Sequence, residues 1–243
     1  MLLSKAQIKL ITGLHQKKYR NKTGLFLAEG PKVVRELLNS GLQLHSLLTT
    51  DDISKWPNGT LQVSDTELKK LSALKNPGTT LGIFYIPDPV EARVDGLVLA
   101  LDAVRDPGNL GTLIRLADWY GISSIVCSED TADCFNPKVV QATMGSIARV
   151  RLHYLNLREF LNHCPNPVYG GYMDSDSVYS TTLSENAVLV LGNEGQGISD
   201  EVSQVIDHRI SIPRFGENGT TESLNVATAG AILINEFRRP TGR

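Results

Sequence analysis

The sequence predicts an α/β protein, a parallel-sheet domain of alternating strands and helices preceded by a smaller α/β domain. Three observations carry this expectation. Strand-length apolar runs alternate with helix-period segments through residues 96–243, the pattern of a parallel sheet covered on both faces. Ile86-Pro-Asp-Pro-Val-Glu91 holds two prolines, which interrupt helix and sheet alike, and marks a linker between residues 1–88 and 96–243. Three glycine-bearing polar islands follow apolar runs, and strand exits are where such sheets bind ligands. They are Asp106-Pro-Gly-Asn109-Leu-Gly111-Thr-Leu-Ile-Arg115, Leu191-Gly192-Asn193-Glu194-Gly195-Gln-Gly197, and Ile212-Pro213 followed by Ser223-Leu224-Asn225.

Taken in order, Ile8, Ile11 and Leu14 give residues 5–15 a helical spacing. Residues 26–29 read as a strand, and Pro31 suits the first turn of a helix carrying Val33, Val34, Leu37 and Leu38. Residues 44–48, 61–63 and 81–86 are short strand candidates. Beyond the linker, 97–101 reads as a strand, and Leu110, Leu113, Ile114 and Ala117 form the apolar face of a helix. Strand 125–127, helix 137–144, strand 150–154 and helix 157–161 continue the alternation. Residues 168–173, 187–191 and 209–212 are strands, and 202–206 and 224–237 are helical, the last long and rich in alanine.

The chain has 243 residues, of which 41% are hydrophobic and 21% charged, which fits a folded globular protein rather than a disordered one. Its longest apolar runs, 96–101 and 187–191, are too short to span a bilayer, so no membrane partner is expected. Lys5 and Lys9 are not followed by the apolar core of a secretory signal. Cys127, Cys134 and Cys164 are odd in number and irregularly spaced, as reduced thiols of a cytoplasmic protein would be. The five histidines are scattered without ligand spacing, so no metal is expected. The glycine fingerprints of pyrophosphate binding, GxGxxG and GxxxxGKS/T, are absent, as is the GxSxG elbow of serine hydrolases.

Charge is unevenly spread. Residues 1–95 hold 13 Lys and Arg against 9 Asp and Glu, a net of +4, whereas residues 96–243 hold 11 against 17, a net of −6. A basic head on an acidic body points to a polyanion bound through Lys5, Lys9, Lys17, Lys18, Arg20, Lys22 and Lys32. The ordinary alternative for these residues is a solvated helix face or loop.

The three islands, as Asn109-x-Gly111-x-x-x-Arg115, Leu191-Gly-Asn-Glu-Gly195 and Ile212-Pro213…Ser223-Leu-Asn-Val-Ala227, resemble in order the signature motifs of the SpoU/TrmH family. These are S-adenosylmethionine-dependent RNA 2′-O-ribose methyltransferases, and the resemblance spans about residues 97–238. Ser4-Lys5…Lys17-Lys18-Tyr-Arg20…Phe26-Leu-Ala-Glu29-Gly30 is similar to the family's substrate-binding domain, which has a ribosomal-protein-like RNA-binding fold. The resemblance implies a trefoil-knotted SPOUT domain over residues 96–243, an RNA-binding domain over 1–88, and a homodimer packed on the knot. It implies S-adenosylmethionine contacts at Leu191, Gly192, Asn193, Gly195, Ile212, Pro213, Ser223, Leu224 and Asn225. It puts Arg115, Asn109, Glu194, Ser223 and Asn225 in the catalytic set. Arginine stays protonated at physiological pH, so Arg115 is expected to polarise the ribose hydroxyl and hold a neighbouring phosphate rather than act as base.

Each assignment has an ordinary structural alternative. Asn109 could cap its helix, Arg115 could be an exposed helix arginine, and Glu194 a solvent-facing turn residue; Ser223 is expected to be both the cap of the final helix and a site residue. For the whole chain the expected substrate is ribosomal RNA, with transfer RNA as the second choice. A non-catalytic RNA-binding assembly factor of the same fold is the rival, and a small-molecule nucleotide enzyme is disfavoured by the missing phosphate motifs. One stretch departs from the family pattern: Pro213 to Ser223 is longer than the compact third motif, bringing in Arg214, Phe215, Glu217 and Glu222.

Overall fold

A computed structural model describes residues 3–216 and 223–239. The chain forms two compact units, Met1–Val90 with Asp133–Arg149, and Glu91–Ala132 with Val150–Arg243. Glu217 and Glu222 lie outside the described residues.

The first unit opens with α1 (Lys5–Gly13), started by a reciprocal cap between Ser4 and Gln7, and α2 (Lys17–Thr23), which ends at Gly24 in the left-handed region, φ +63°. β1 (Leu25–Glu29) and α3 (Pro31–Asn39) follow, with Pro31 in the first turn as expected. β2 (Leu44–Thr49), β3 (Leu61–Gln62), α4 (Asp65–Leu71) and β4 (Thr80–Tyr85) complete it. The sheet order is β1-β4-β2-β3, with β4 antiparallel to both neighbours and β3 parallel to β2. Leu14, Leu25, Leu27, Leu48, Leu71, Leu81 and Ile83 fill one core. Phe26 points to the other side of β1, where it stacks on Phe84 at 5.8 Å and meets Phe135 at 4.8 Å.

Phe135 belongs to the segment Asp133–Arg149, which the division at the proline linker assigns to the second half but which packs in the first unit. Its helix Pro137–Thr143 lies against β1. Gly145, at φ +101°, sits where a side chain would put its Cβ 2.5 Å from that of Glu36, and Arg149 pairs with Glu36 at 3.4 Å.

The same segment corrects one expectation. Arg20 is 2% exposed: its Nε and Nη2 donate to the Asp133 carboxylate, and its Nη1 donates to Leu14 O at 2.7 Å. A guanidinium committed on these edges inside the unit is a core strut, not an RNA contact. The six lysines of the expected set, Lys5, Lys9, Lys17, Lys18, Lys22 and Lys32, are exposed.

In the second unit, β5 (Leu97–Leu101), α5 (Pro107–Trp119) and β6 (Ser124–Cys127) precede the excursion, whose helix is α6. The chain returns as β7 (Arg151–Tyr154), α7 (Leu157–His163), β8 (Val168–Tyr172), the short β9 (Asp176–Ser177) and β10 (Ala187–Leu191). α8 (Asp200–Ser203), β11 (His208–Ser211) and α9 (Val226–Arg238) close it. The seven strands run parallel in the order β7-β6-β5-β10-β8-β11-β9. The central strands β5 and β10 are buried at every position, which is why they read as unbroken apolar runs. α5 packs on α9, where Gly230 leaves room for Leu113 and Leu191.

Candidate active site

Strand register assembles the site. Leu101 pairs with Leu191, so the exits of β5 and β10 lie side by side, and Asp102 N donates to Leu191 O at 2.9 Å. Asp102 is buried, and its Oδ2 accepts from Ser199 N at 2.7 Å, which ties the far end of the glycine loop back to β5. Within the loop, Asn193 and Gly197 exchange backbone hydrogen bonds of 2.8 and 2.9 Å. Asn193 Oδ1 accepts from Gly195 N (2.9 Å) and Gln196 N (3.1 Å). Gly192 has no room for a side chain, since a Cβ there would overlap the backbone of Gly197 and Ile198.

The remaining donor of Asn193, Nδ2, reaches Ala103 O at 2.7 Å. Ala103 holds the left-handed conformation, φ +56°, uncommon for a residue with a side chain. That conformation aims its carbonyl at Asn193 while its N–H donates to Ser128 Oγ at 2.8 Å. Ser128 Oγ in turn donates to Asp130 (2.8 Å), which pairs with Arg105 at 2.7 Å. The Arg105 hydrogen bond, then that from Ser128, hold the Asp130 carboxyl below the usual carboxylate range. This surface tie is therefore present at neutral pH and is lost only as the pH falls below that range.

The first and third motifs meet the second through three side chains. Asn225 Nδ2 donates to Asn109 Oδ1 (2.9 Å), and Asn109 Nδ2 donates to Glu194 Oε1 (2.9 Å), which also accepts from Asp106 N at 3.3 Å. The order of donors is fixed from both ends. Asn225 Oδ1 is occupied by Ala227 N and Thr228 N, so its amide must donate to Asn109, and the Glu194 carboxylate can only accept. Two capping expectations are thereby corrected. Asp106, not Asn109, caps α5, accepting from Asn109 N at 2.8 Å. Asn225, not Ser223, caps α9. Asp106 performs the capping that releases the Asn109 amide for the relay.

Asn225→Asp keeps the cap but replaces the donor with a carboxylate facing Asn109 Oδ1. One junction of the relay must then oppose two acceptors. Melting is expected to change little, while any turnover at this candidate site falls by at least about 10-fold, the scale of one charge-assisted hydrogen bond. Parallel thermal denaturation and activity assays measure the two effects.

Beside this relay lies a cavity of about 890 Å³, within the size range of small-molecule sites. Leu191, Gly192, Asn193, Gly195, Ile212, Pro213, Ser223 and Leu224 line it, eight of the nine expected cofactor contacts; Asn225 stands behind, in the relay. Glu194 also lines it. Arg115 is exposed on α5, outside the lining, and makes no hydrogen bond or ion pair among the described residues. Sequence reasoning missed Tyr172, Met173, Val226, Ala229 and Leu233, apolar or aromatic wall residues contributed by β8, its exit and α9. Apart from Val226, which stands in the third motif, they carry no motif, and only the pairing of β8 with β10 and the packing of α9 on β10 bring them here.

Comparison with known proteins agrees with this geometry. Residues 96–235 match the model of the SpoU rRNA Methylase family, and residues 5–82 match that of the MRM3-like substrate binding domain. The chain is 33% identical over 234 residues to the 23S rRNA (guanosine(2553)-2′-O)-methyltransferase RlmP of Bacillus subtilis, covering 93% of each chain. A solved structure of the TrmH family from Porphyromonas gingivalis superposes with a TM-score of 0.88 at 40% identity, covering 99% of this chain and 100% of that one. The AdoMet-bound rRNA methyltransferase of Sinorhizobium meliloti superposes with a TM-score of 0.85 at 30% identity, over 100% and 98% of the two chains. With its three motifs joined at one cavity and a family model matched over residues 96–235, the chain belongs to the SpoU rRNA methylase family.

Proposed function

We propose that this protein transfers a methyl group from S-adenosylmethionine to a ribose 2′-hydroxyl of ribosomal RNA. The observation that carries the reading is the Asn225–Asn109–Glu194 relay, which joins all three family motifs beside one cavity. The cavity suits the cofactor: Leu191, Ile212, Leu224 and Leu233 offer an apolar wall, and the glycine loop offers backbone without side chains. S-adenosylmethionine, when bound, supplies a methyl group already activated on a sulfonium.

The chain's own residues orient the acceptor. The Arg115 guanidinium, uncommitted within the chain among the described residues, polarises the ribose hydroxyl and holds an adjacent phosphate. Glu194, fixed by Asn109 and Asp106, keeps the glycine loop in register with α5. Residues 1–88 serve substrate binding and 96–243 catalysis, and the exposed lysines of α1 and α2 supply phosphate contacts. We further propose a trefoil knot in the second unit, a homodimer packed through it, and a cytoplasmic location. The insertion of β10 between β5 and β8 supports the knot, and three cysteines that form no disulfide among the described residues support the location.

The wild-type protein is expected to transfer labelled methyl from S-adenosylmethionine to ribosomal RNA from a strain lacking the gene. Arg115→Ala should lower that rate by about 100-fold or more with an unchanged melting temperature, because Arg115 makes no hydrogen bond or ion pair among the described residues. Undiminished transfer by the variant would remove Arg115 from the reaction. Absence of S-adenosylmethionine binding by calorimetry would favour the non-catalytic RNA-binding reading.

A further inference from the structure

We infer that Phe215, with Met173 and Leu224, forms a stacking face for the unpaired nucleobase of the RNA nucleotide being methylated. The inference rests on the methyltransferase reading and names how that site takes its substrate. Among the described residues, ten large hydrophobic side chains are exposed, and three of them share this one cavity: Phe215 at 85%, Met173 at 56% and Leu224 at 48%. Apolar side chains left uncovered singly need no explanation, but a cluster at the mouth of a cavity marks a binding surface.

The rim is built by adjacent strand exits. β8 and β11 pair through Tyr172 and Ser211, so Met173 and the segment Ile212–Phe215 leave the sheet side by side. Arg214 Nη2 lies 3.9 Å from Met173 Sδ, holding the two exits together. The rim thus combines a flat aromatic face, a thioether and a guanidinium.

The occupant follows from the chemistry. A ribose cannot bring its 2′-hydroxyl to the cavity without its base and its flanking phosphates arriving within a few bonds. The base needs an apolar, planar neighbour, and the phosphate needs a cation. A base still paired in a helix has no free face, whereas an unpaired one stacks on aromatic side chains and on arginine. The inner wall of Leu191, Ile212 and Leu233, where side chains are buried or half-buried, would hold the cofactor. Phe215 stands outside that wall, in the stretch where this chain departs from the compact third motif.

The test compares wild type, Phe215→Ala and Phe215→Tyr, using ribosomal RNA from a strain lacking the gene and tritiated S-adenosylmethionine. Phe215→Ala is expected to lower kcat/KM for RNA by about 5- to 150-fold, the range found when one base loses its aromatic partner. Phe215→Tyr should restore it, with cofactor affinity by calorimetry and sedimentation behaviour unchanged in both. Equal kcat/KM in wild type and Phe215→Ala would overturn the inference. A parallel loss of cofactor affinity would also overturn it, assigning the residue to the adenine, and dissociation of a dimer would assign it to a second copy. Failure of the wild-type protein to transfer methyl at all would strike the methyltransferase reading instead.

Discussion

Gly192→Ala is expected to abolish measurable S-adenosylmethionine binding while the first unit stays folded. A Cβ at this position would occupy the space of the Gly197 and Ile198 backbone, which cannot swing aside as a side-chain tip can. To admit it, the loop must open, and opening breaks the paired Asn193–Gly197 hydrogen bonds and strains the Asp102–Ser199 tie. Overpacking plus two lost backbone bonds amounts to roughly 3 kcal/mol or more, about 100-fold or greater in affinity. Calorimetry of the variant against wild type measures it. An affinity within threefold of wild type would mean that the hairpin shape is not what holds the cofactor.

Asp133→Ala should lower the unfolding free energy of the first unit by about 3–5 kcal/mol, the usual cost of stranding one partner of a buried ion pair. Arg20, 2% exposed, has Asp133 as its charge partner, and alanine leaves that guanidinium buried and uncompensated. Urea titration followed by the fluorescence of Trp56, a residue of this unit, reads the change. Arg20→Met combined with Asp133→Leu should recover much of the loss, since replacing both charges with apolar groups removes the desolvation penalty. A decrease below about 1 kcal/mol for the single variant would show that water reaches the pair. By the same reasoning, a fragment of residues 1–90 lacks Asp133, Phe135 and α6 and should be far less stable than the same residues in the whole chain.

The second unit was legible because its signals are local. Strands buried on both faces need continuous apolar runs, so β5 and β10 are plain in Leu97–Leu101 and Ala187–Leu191, and the motif glycines follow at their ends. The first unit was read less completely. α4 carries its signal in Ser64-Asp-Thr-Glu67, a reciprocal cap that outranks the weak apolar period of the seven residues after it. α2 has no apolar stripe at all: Lys17, Lys18, Arg20 and Lys22 look like a loop until Arg20 finds Asp133, 113 residues away. No local pattern could show that partner, nor that residues 133–149 leave the parallel sheet to complete another unit.

In the site, residue types were legible and their pairing was not. Asn109, Glu194 and Asn225 stand out in the motifs, but which of them cap helices depends on which oxygen faces which N–H. Asp106 and Asn225 take the caps, and only then is the Asn109 amide free to bridge the other two. The apolar wall was invisible for a plainer reason: Tyr172 of β8, Met173 at its exit and Leu233 of α9 are ordinary residues until strand order brings them to the cavity.

The most direct measurement is the chemical identity of the product. Ribosomal RNA from a strain lacking the gene is incubated with the purified protein and isotopically labelled S-adenosylmethionine, digested to nucleosides and analysed by mass spectrometry. A single 2′-O-methylated nucleoside carrying the label, formed about 100-fold or more slowly with Arg115→Ala, is the expected result. Label on a nucleobase, or none in RNA from a protein that binds the cofactor, would contradict the assignment of this cavity to ribose methylation.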